Sequence, residues 1–185
     1  MGTDQNKSKQ DWILKTLDCY EGRLVQYAFR IVGDIELAQD VVQETFLQLW
    51  KEKRAKIESY LEQWLYTVCR NKAFDLKKKE KRMFSLQSDI DFADDGDNSP
   101  TADIERQEDA VGILDVINSL PSNQKEVICL KFQDGLSYKE ISKVTGLSVS
   151  NVGFLMHKGV KSMRALLKKQ DNNGIAERGV RCLAR

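Results

Sequence analysis

The sequence has few of the residues on which metal sites, disulfide frameworks and membrane anchors depend. Its 185 residues include one histidine and four widely spaced cysteines, with no CxxC pair among Cys19, Cys69, Cys129 and Cys182. This spacing argues against a zinc site or disulfides and favours thiols buried in a core. No apolar run approaches the roughly 18 residues of a membrane span, and the opening "MGTDQNKSKQ" lacks the apolar core of a signal peptide. We therefore expect a cytoplasmic protein.

Motifs for catalysis are also missing. The sequence contains no glycine-rich phosphate loop, no cluster of metal-ligating residues and no recognisable nucleophile with its base. Asp75 lies near Asn71 but has no further catalytic partner in the pattern. We predict that the chain is not an enzyme and requires no cofactor and no metal.

Proline is scarce, and neither of the two prolines falls between residues 12 and 82. Apolar residues recur there at steps of three and four, which predicts helices. Gly33 and Asp34 predict a helix stop followed by an N-cap. The polar stretch "KEKRAKIES" is predicted to be a loop, in which Ser59 can cap the next helix. No stretch of the sequence predicts a strand.

Charge is strongly segregated along a chain whose net charge is only +1. Residues 1–82 hold 16 basic and 13 acidic groups, and residues 111–185 hold 12 basic and 6 acidic groups. Between them, residues 83–110 hold 9 acidic groups and 1 basic group. Two basic segments on either side of an acidic segment predict two anion-binding modules and a linker.

These patterns predict an all-α protein of two small helical domains joined by a flexible acidic linker. The linker has too few apolar residues to offset the entropy of ordering it, and the polar tail is also expected to be mobile. The predicted boundaries are a disordered N-terminus over 1–11, a first domain over 12–82, the linker over 83–107, a second domain over 108–170 and a tail over 171–185.

The second domain contains a helix-turn-helix pattern over residues 137–164. Ser137 and Glu140 form an S-x-x-E capping box that starts one helix. Gly146 falls where the inter-helix turn requires positive φ, and Ser142 is small enough to let the next helix cross closely. Ser148 caps that second helix. An ordinary antiparallel helix pair is the alternative interpretation.

At 100° per residue the second helix of this motif has an apolar face, predicted to pack in the core, and an opposite polar face. The polar face includes Ser150, Phe154, His157, Lys158 and Lys161. Lys158 can donate to guanine and Phe154 can press on a thymine methyl group in a major groove. Taken one at a time, these lysines fit a solvated helix surface equally well.

A second stripe lies on the predicted helix that begins near Ser59. Trp64, Asn71, Asp75, Lys78 and Arg82 form a nearly straight line on it, and residues 70–82 hold seven basic groups against two acidic groups. An aromatic ring, an amide and basic residues on one face suit the backbone and splayed bases of a nucleic-acid strand. The alternatives are a core position for Trp64 and a solvated helix end for the basic run.

Together these residues resemble an extracytoplasmic-function (ECF) sigma factor of bacterial RNA polymerase. Four segments in order carry the resemblance, which spans about residues 12–170: "DIELAQDVVQETFLQLW", "WLYTVCRNKAFD", "SLPSNQKEVICLKFQDGLSYKEIS" and the helix-turn-helix. The resemblance implies a sigma-2 domain, a linker and a sigma-4 domain. It also implies that Leu120–Phe132 docks on the polymerase flap and that the acidic linker threads toward the RNA exit path.

The resemblance assigns roles to individual positions of three helices. It implies that the clamp helices of core polymerase bind Asp40, Gln43 and Glu44, to which we add Leu47. It implies that the minus-ten element, as melted single strand, meets Trp64, Asn71 and Asp75, and the stripe on the same helix adds Lys78 and Arg82. It implies that the duplex minus-thirty-five element meets Phe154, His157 and Lys158, to which we add Ser150, Asn151 and Lys161.

The sequence departs from the family pattern at three places. Residues 37–40 read Leu-Ala-Gln-Asp where the family often has a more acidic run, so clamp binding is expected to be weaker or to involve another factor. Ala55 and Lys56 replace a frequent Phe-Arg pair in the loop that holds the flipped base, and Ile57 is a candidate substitute for that role. Gly153 and Leu155 stand where basic residues are frequent, so contacts to the upstream element are expected to be weak.

The resulting hypothesis is a sigma factor that binds core RNA polymerase and directs promoter recognition, DNA melting and transcription initiation. An anti-sigma factor or another accessory recruiter is a further candidate partner, and no membrane is. The alternative is a helix-turn-helix repressor or activator that acts independently of core polymerase. That alternative predicts a dimer on a palindromic site and leaves the first domain's two polar faces unexplained.

Overall fold

The computed structural model describes the backbone of residues 2–87 and 115–183 and the side chains of residues 7–82 and 115–168. These ranges form two compact units whose regular elements are all helices, which confirms the predicted all-α class. Residues 88–107 of the predicted linker lie outside the described ranges. None of the helices in the described part of the chain is long and apolar enough to cross a membrane.

The first unit contains four α-helices joined by short turns. They are α1 (Gly2–Val32), α2 (Ile35–Lys51), α3 (Arg54–Ile57) and α4 (Leu61–Gln87). Gly33 has a φ of 84°, and the backbone N–H of Leu37 donates to Asp34 Oδ1 at 2.9 Å. The predicted stop and N-cap at Gly33 and Asp34 are confirmed.

The core of the first unit is formed where α1, α2 and α4 pack on one another. Leu24, Leu49 and Leu65 are fully buried there, and the rings of Tyr27 and Tyr66 meet edge to face with centroids 5.2 Å apart. Such aromatic pairs contribute about 0.5–1.5 kcal/mol beyond the area they bury. This packing fixes the directions in which the outer faces of α2 and α4 point.

Two predictions for the ends of these helices were wrong. The polar stretch after α2 is not a loop, because α3 and a 3-10 turn over Glu58–Tyr60 lead directly into α4, with Ser59 inside that turn. Ile57 is 1% exposed, so its burial anchors the segment to the core. The predicted disorder over residues 1–11 is also not observed, since α1 begins at Gly2. No proline interrupts that segment, and Lys9 Nζ lies 5.8 Å from the centroid of the Trp50 ring.

The cysteines divide between the core and the surface. Cys69 and Cys129 are buried as predicted, whereas Cys19 is exposed, and the side chain of Cys182 lies outside the described residues. Burial raises the pKa of the Cys69 thiol to about 12, which keeps it protonated and unreactive at neutral pH. The prediction of core thiols was therefore wrong for Cys19, which lies on the solvent side of α1.

In the described part of the second unit, residues 115–118 are helical and three longer helices follow. They are α5 (Ser122–Phe132), α6 (Tyr138–Thr145) and α7 (Val149–Leu183). The helix α7 continues past residue 170, where a mobile tail was predicted. That segment lacks proline, and extending an existing helix needs no new nucleation.

The helix-turn-helix caps are formed as predicted. The N–H of Ser137 donates to Glu140 Oε2 at 2.7 Å, and the N–H of Glu140 donates to Ser137 Oγ at 3.3 Å. Gly146 has a φ of 76°, and Ser142 Oγ donates to the carbonyl of Leu147 across the turn. These contacts fix where α7 begins.

Two glycines of α7 differ in their surroundings. A Cβ atom added at Gly159 would lie 2.5 Å from Ile128 Cδ1 and 3.4 Å from Gln124 Cβ, both on α5. A Cβ atom added at Gly153 would meet only Tyr138 Cε2, at an ordinary 3.9 Å. A Cβ atom therefore fits at position 159 only if Ile128 shifts, whereas position 153 has room for one.

This contrast predicts opposite stability effects from the same substitution. Gly153→Ala should stabilise α7 by about 0.5–1 kcal/mol, because alanine loses less backbone entropy in a helix. Gly159→Ala should destabilise the second unit by about 1–3 kcal/mol, since the added Cβ would lie 2.5 Å from Cδ1 of the buried Ile128, whose side chain would have to shift. Native-state hydrogen exchange of the α5 and α7 amides would measure both changes. Equal protection in the two variants would contradict the packing argument.

Candidate functional site

The helix α2 presents a polar row opposite its buried face. Its buried residues are Ala38, Val41, Val42, Thr45, Phe46 and Leu49. The predicted polymerase-binding residues, which we call the α2 row, are all exposed on the other side: Asp40, Gln43, Glu44 and Leu47. The Leu47 side chain is 64% exposed, which is unusual for leucine and adds an apolar contact to the row.

Four of the five predicted minus-ten residues are exposed along α4. Asn71, Asp75, Lys78 and Arg82 face solvent on one side of the helix, and we call them the α4 row. Trp64 is only half-buried, so its ring contributes to packing while part of it remains accessible. The single-strand surface predicted from spacing is thus available on three turns of α4.

A neighbouring row on α4 was missed in the sequence. Phe74 is 42% exposed, and the guanidinium carbon of Arg70 lies 4.5 Å from the centroid of its ring. Lys77 and Lys81 continue this row at the next two turns. The four residues are separated by steps of four, three and four, so helical periodicity alone could have identified the row.

All six predicted minus-thirty-five residues are exposed on one side of α7: Ser150, Asn151, Phe154, His157, Lys158 and Lys161. The Phe154 side chain is 61% exposed, and Lys158 Nζ lies 6.0 Å from the centroid of its ring. An exposed aromatic ring under a lysine presents an apolar surface and a charge side by side, as a major-groove contact requires.

The ring of Tyr138 on α6 lies beside Gly153 of α7. Its ring carbon Cε2 lies 3.9 Å from the position of a Cβ atom at Gly153, and the residue is 38% exposed. Lys131 Nζ lies 5.9 Å from the centroid of the same ring. This cluster was not identified from the sequence, because it depends on how α5, α6 and α7 meet.

The segment implied to dock on the polymerase flap combines a buried face with an exposed end. Val127, Ile128 and Leu130 of α5 are buried, whereas Phe132 at its end is 69% exposed. An exposed phenylalanine beside a basic helix end suits an apolar contact with a partner protein.

Among the described residues, no group of three or more His, Cys, Asp or Glu is arranged to hold a metal ion. A shallow groove of about 440 Å³ lies on α1 and is lined by Lys7, Ser8, Asp11, Trp12, Lys15 and Arg54. The guanidinium of Arg54 is already bonded to the carboxylate of Glu58.

Comparison with known proteins identifies both units. The family model described as sigma-70 region 2 matches residues 16–83, and the model described as sigma-70, region 4 matches residues 111–163. The ECF RNA polymerase sigma factor SigW of Bacillus subtilis is 27% identical over 176 residues, which cover 88% of this chain and 92% of SigW. SigM of the same organism is 25% identical over 156 residues, covering 83% of this chain and 94% of SigM.

The fold agrees with a solved sigma-factor structure. The sigma factor RpoE of Bartonella quintana, crystallised with the anti-sigma factor NepR, superposes with a TM-score of 0.60 and 24% identity. The superposition covers 83% of this chain and 95% of that one. The match to region 2 also disfavours the alternative of a helix-turn-helix regulator, because that alternative assigns no role to the first unit. The chain belongs to the sigma-70 family, as a member of its ECF group of sigma factors, the non-enzymatic regulators that bind core RNA polymerase and direct it to promoters.

Proposed function

We propose that this sigma factor binds the clamp helices of core polymerase through the α2 row and reads two promoter elements through α4 and α7. The α4 row, with Trp64, meets the melted strand of the minus-ten element. The minus-thirty-five duplex meets α7, with base contacts from Phe154, His157 and Lys158. The chain acts in the cytoplasm, where polymerase and chromosome are found, and it contributes binding and positioning without catalysis.

The observation that carries this proposal is the exposure of the α2 row. Asp40, Gln43 and Glu44 lie at i, i+3 and i+4, so they share one helix face. Leu47 extends the same face by one turn and leaves a large apolar side chain in solvent. Acidic and amide groups beside an apolar residue suit a partner helix that offers basic residues around an apolar centre.

The α4 row supports a role with melted DNA. Asn71 can hydrogen-bond to the edge of an unpaired base, and Lys78 and Arg82 can follow the phosphates farther along the helix. The half-buried Trp64 supplies a ring near the start of the same line. Such a surface tolerates several sequences, so most of the affinity must come from the polymerase.

The acidic segment over 83–107 is proposed to tether the two DNA-reading domains. Two weak sites joined by a tether gain effective concentration without any new contact. The net charge of this segment, strongly acidic by sequence, also keeps it away from promoter DNA. The boundary at 108 belongs to this proposal, whereas the predicted boundary at 82 falls inside α4, which continues to Gln87.

A pull-down of purified core RNA polymerase with the tagged chain, followed by run-off transcription on a genomic fragment library, tests the function. We expect stoichiometric binding and transcripts that start downstream of a shared pair of elements. Binding without transcripts would show that a further recruiter is needed for initiation. Failure to bind polymerase, with specific retention of duplex DNA, would favour an independent regulator.

A further inference from the structure

An ion pair joins the two helices that carry the α2 row and the α4 row. Lys72 Nζ of α4 lies 2.8 Å from Glu44 Oε2 of α2. The Glu44 side chain is 65% exposed, whereas that of Lys72 is 26% exposed. The carboxylate therefore projects from the surface, and the lysine stem lies along the seam where α2 packs on α4.

Lys72 stands at the edge of the α4 row. It directly follows Asn71 and lies about 60° around the helix from Asp75, within the reach of a lysine side chain from that line. A phosphate of a strand bound along Asn71 and Asp75 would therefore pass near its ammonium group. While that ammonium is bonded to Glu44, the pair has no net charge and attracts a phosphate only weakly.

Glu44 also has two candidate partners, Lys72 and the polymerase, because it belongs to the α2 row that we propose binds polymerase. A basic group of the polymerase that bonds to the Glu44 carboxylate competes with Lys72 for the same oxygens. Once Glu44 is engaged, Lys72 has lost its partner and is free to turn toward DNA. The two interfaces thus share one ion pair.

We infer that Lys72 is a further promoter-contacting residue, whose ammonium group stays paired with Glu44 until polymerase binds the α2 row. The release of Lys72 by polymerase rests on the proposed function, in which the α2 row binds polymerase. Because binding linkage is reciprocal, a strand that attracts Lys72 also frees Glu44 for polymerase. The free chain then binds DNA less well than the polymerase-bound chain does, by the strength of one surface ion pair. Such pairs correspond to changes of about two- to five-fold in affinity.

The first test uses the free full-length chain and fluorescein-labelled oligothymidylate, with affinity measured by fluorescence anisotropy at low salt. Glu44→Gln should raise the affinity about two- to five-fold beyond the effect of Glu36→Gln, which removes the same charge from the exposed start of α2. Adding Lys72→Met should cancel that gain, since methionine keeps the stem and lacks the ammonium. A gain that equals the Glu36→Gln effect, or that survives Lys72→Met, overturns the inference.

The second test measures core polymerase binding in the absence of DNA. Lys72→Met should tighten it about two- to five-fold, because Glu44 no longer has to leave a partner. Lys79→Met is the matched control, as it removes one exposed charge seven residues along on the same side of α4. If Lys72→Met leaves polymerase affinity at the control value, the coupling is disproved. If Glu44→Gln also leaves the polymerase affinity unchanged, the α2 row itself is misassigned. The first test separates these two failures, because it measures DNA binding by the free chain without polymerase.

Discussion

Replacing Asp40 and Glu44 together by alanine should abolish stable binding of core RNA polymerase while leaving the chain folded. Both side chains are exposed and neither supports the core. Removing one partner of a buried charged contact costs about 2–5 kcal/mol, so we expect the affinity to fall by at least about 100-fold. Biolayer interferometry with immobilised core polymerase would measure this loss, and circular dichroism would check that helicity is unchanged.

The control is Asp18→Ala combined with Glu21→Ala. These residues are also acidic and exposed but lie on α1, so the substitutions test whether any loss of two surface carboxylates weakens binding. We expect the control to keep its affinity within about two-fold, as surface substitutions away from an interface usually have small effects. Full binding by the Asp40→Ala, Glu44→Ala variant would exclude the α2 row as the polymerase contact. Equal losses in both variants would point to a general electrostatic effect of the first unit.

The helix boundaries that the sequence predicted depend on short-range chemistry. The cap at Asp34, the capping box of Ser137 and Glu140, and the turn at Gly146 each involve residues within four positions of one another. Side-chain oxygens near free backbone N–H groups determine such features locally. The periodicity of apolar residues likewise placed the polar face of α7 on the solvent side, and the residues that the resemblance assigned to the α2 row are also exposed.

The features that the sequence did not predict depend on contacts between helices. Ile57 orders the segment between α2 and α4 because its side chain is buried in the core. The polar residues around it in the sequence give no sign of that burial. The bond between Lys72 and Glu44 joins residues 28 positions apart. The ring of Tyr138 lies beside Gly153, a contact that depends on how α6 meets α7.

Replacing Lys158 by alanine should reduce discrimination between the correct and altered minus-thirty-five elements by about 1–3 kcal/mol. Its ammonium lies over the exposed ring of Phe154, one turn earlier on α7, so each side chain helps to orient the other. Removal of Phe154 should therefore weaken the contribution of Lys158 as well. The measurement is a double-mutant cycle of Phe154→Ala and Lys158→Ala, read as holoenzyme affinity for the selected promoter and for a promoter altered in its upstream element.

We expect the two losses to be non-additive, with a coupling of about 0.5–2 kcal/mol, because each substitution already disturbs the pair. Lys161→Ala serves as the control on the same face of α7. If Lys161 contacts a phosphate, its loss weakens binding to every promoter equally and lowers the salt dependence by about one ion. Should Lys158→Ala behave in that same uniform way, it would be a phosphate contact as well. Base recognition would then rest on Phe154 and His157.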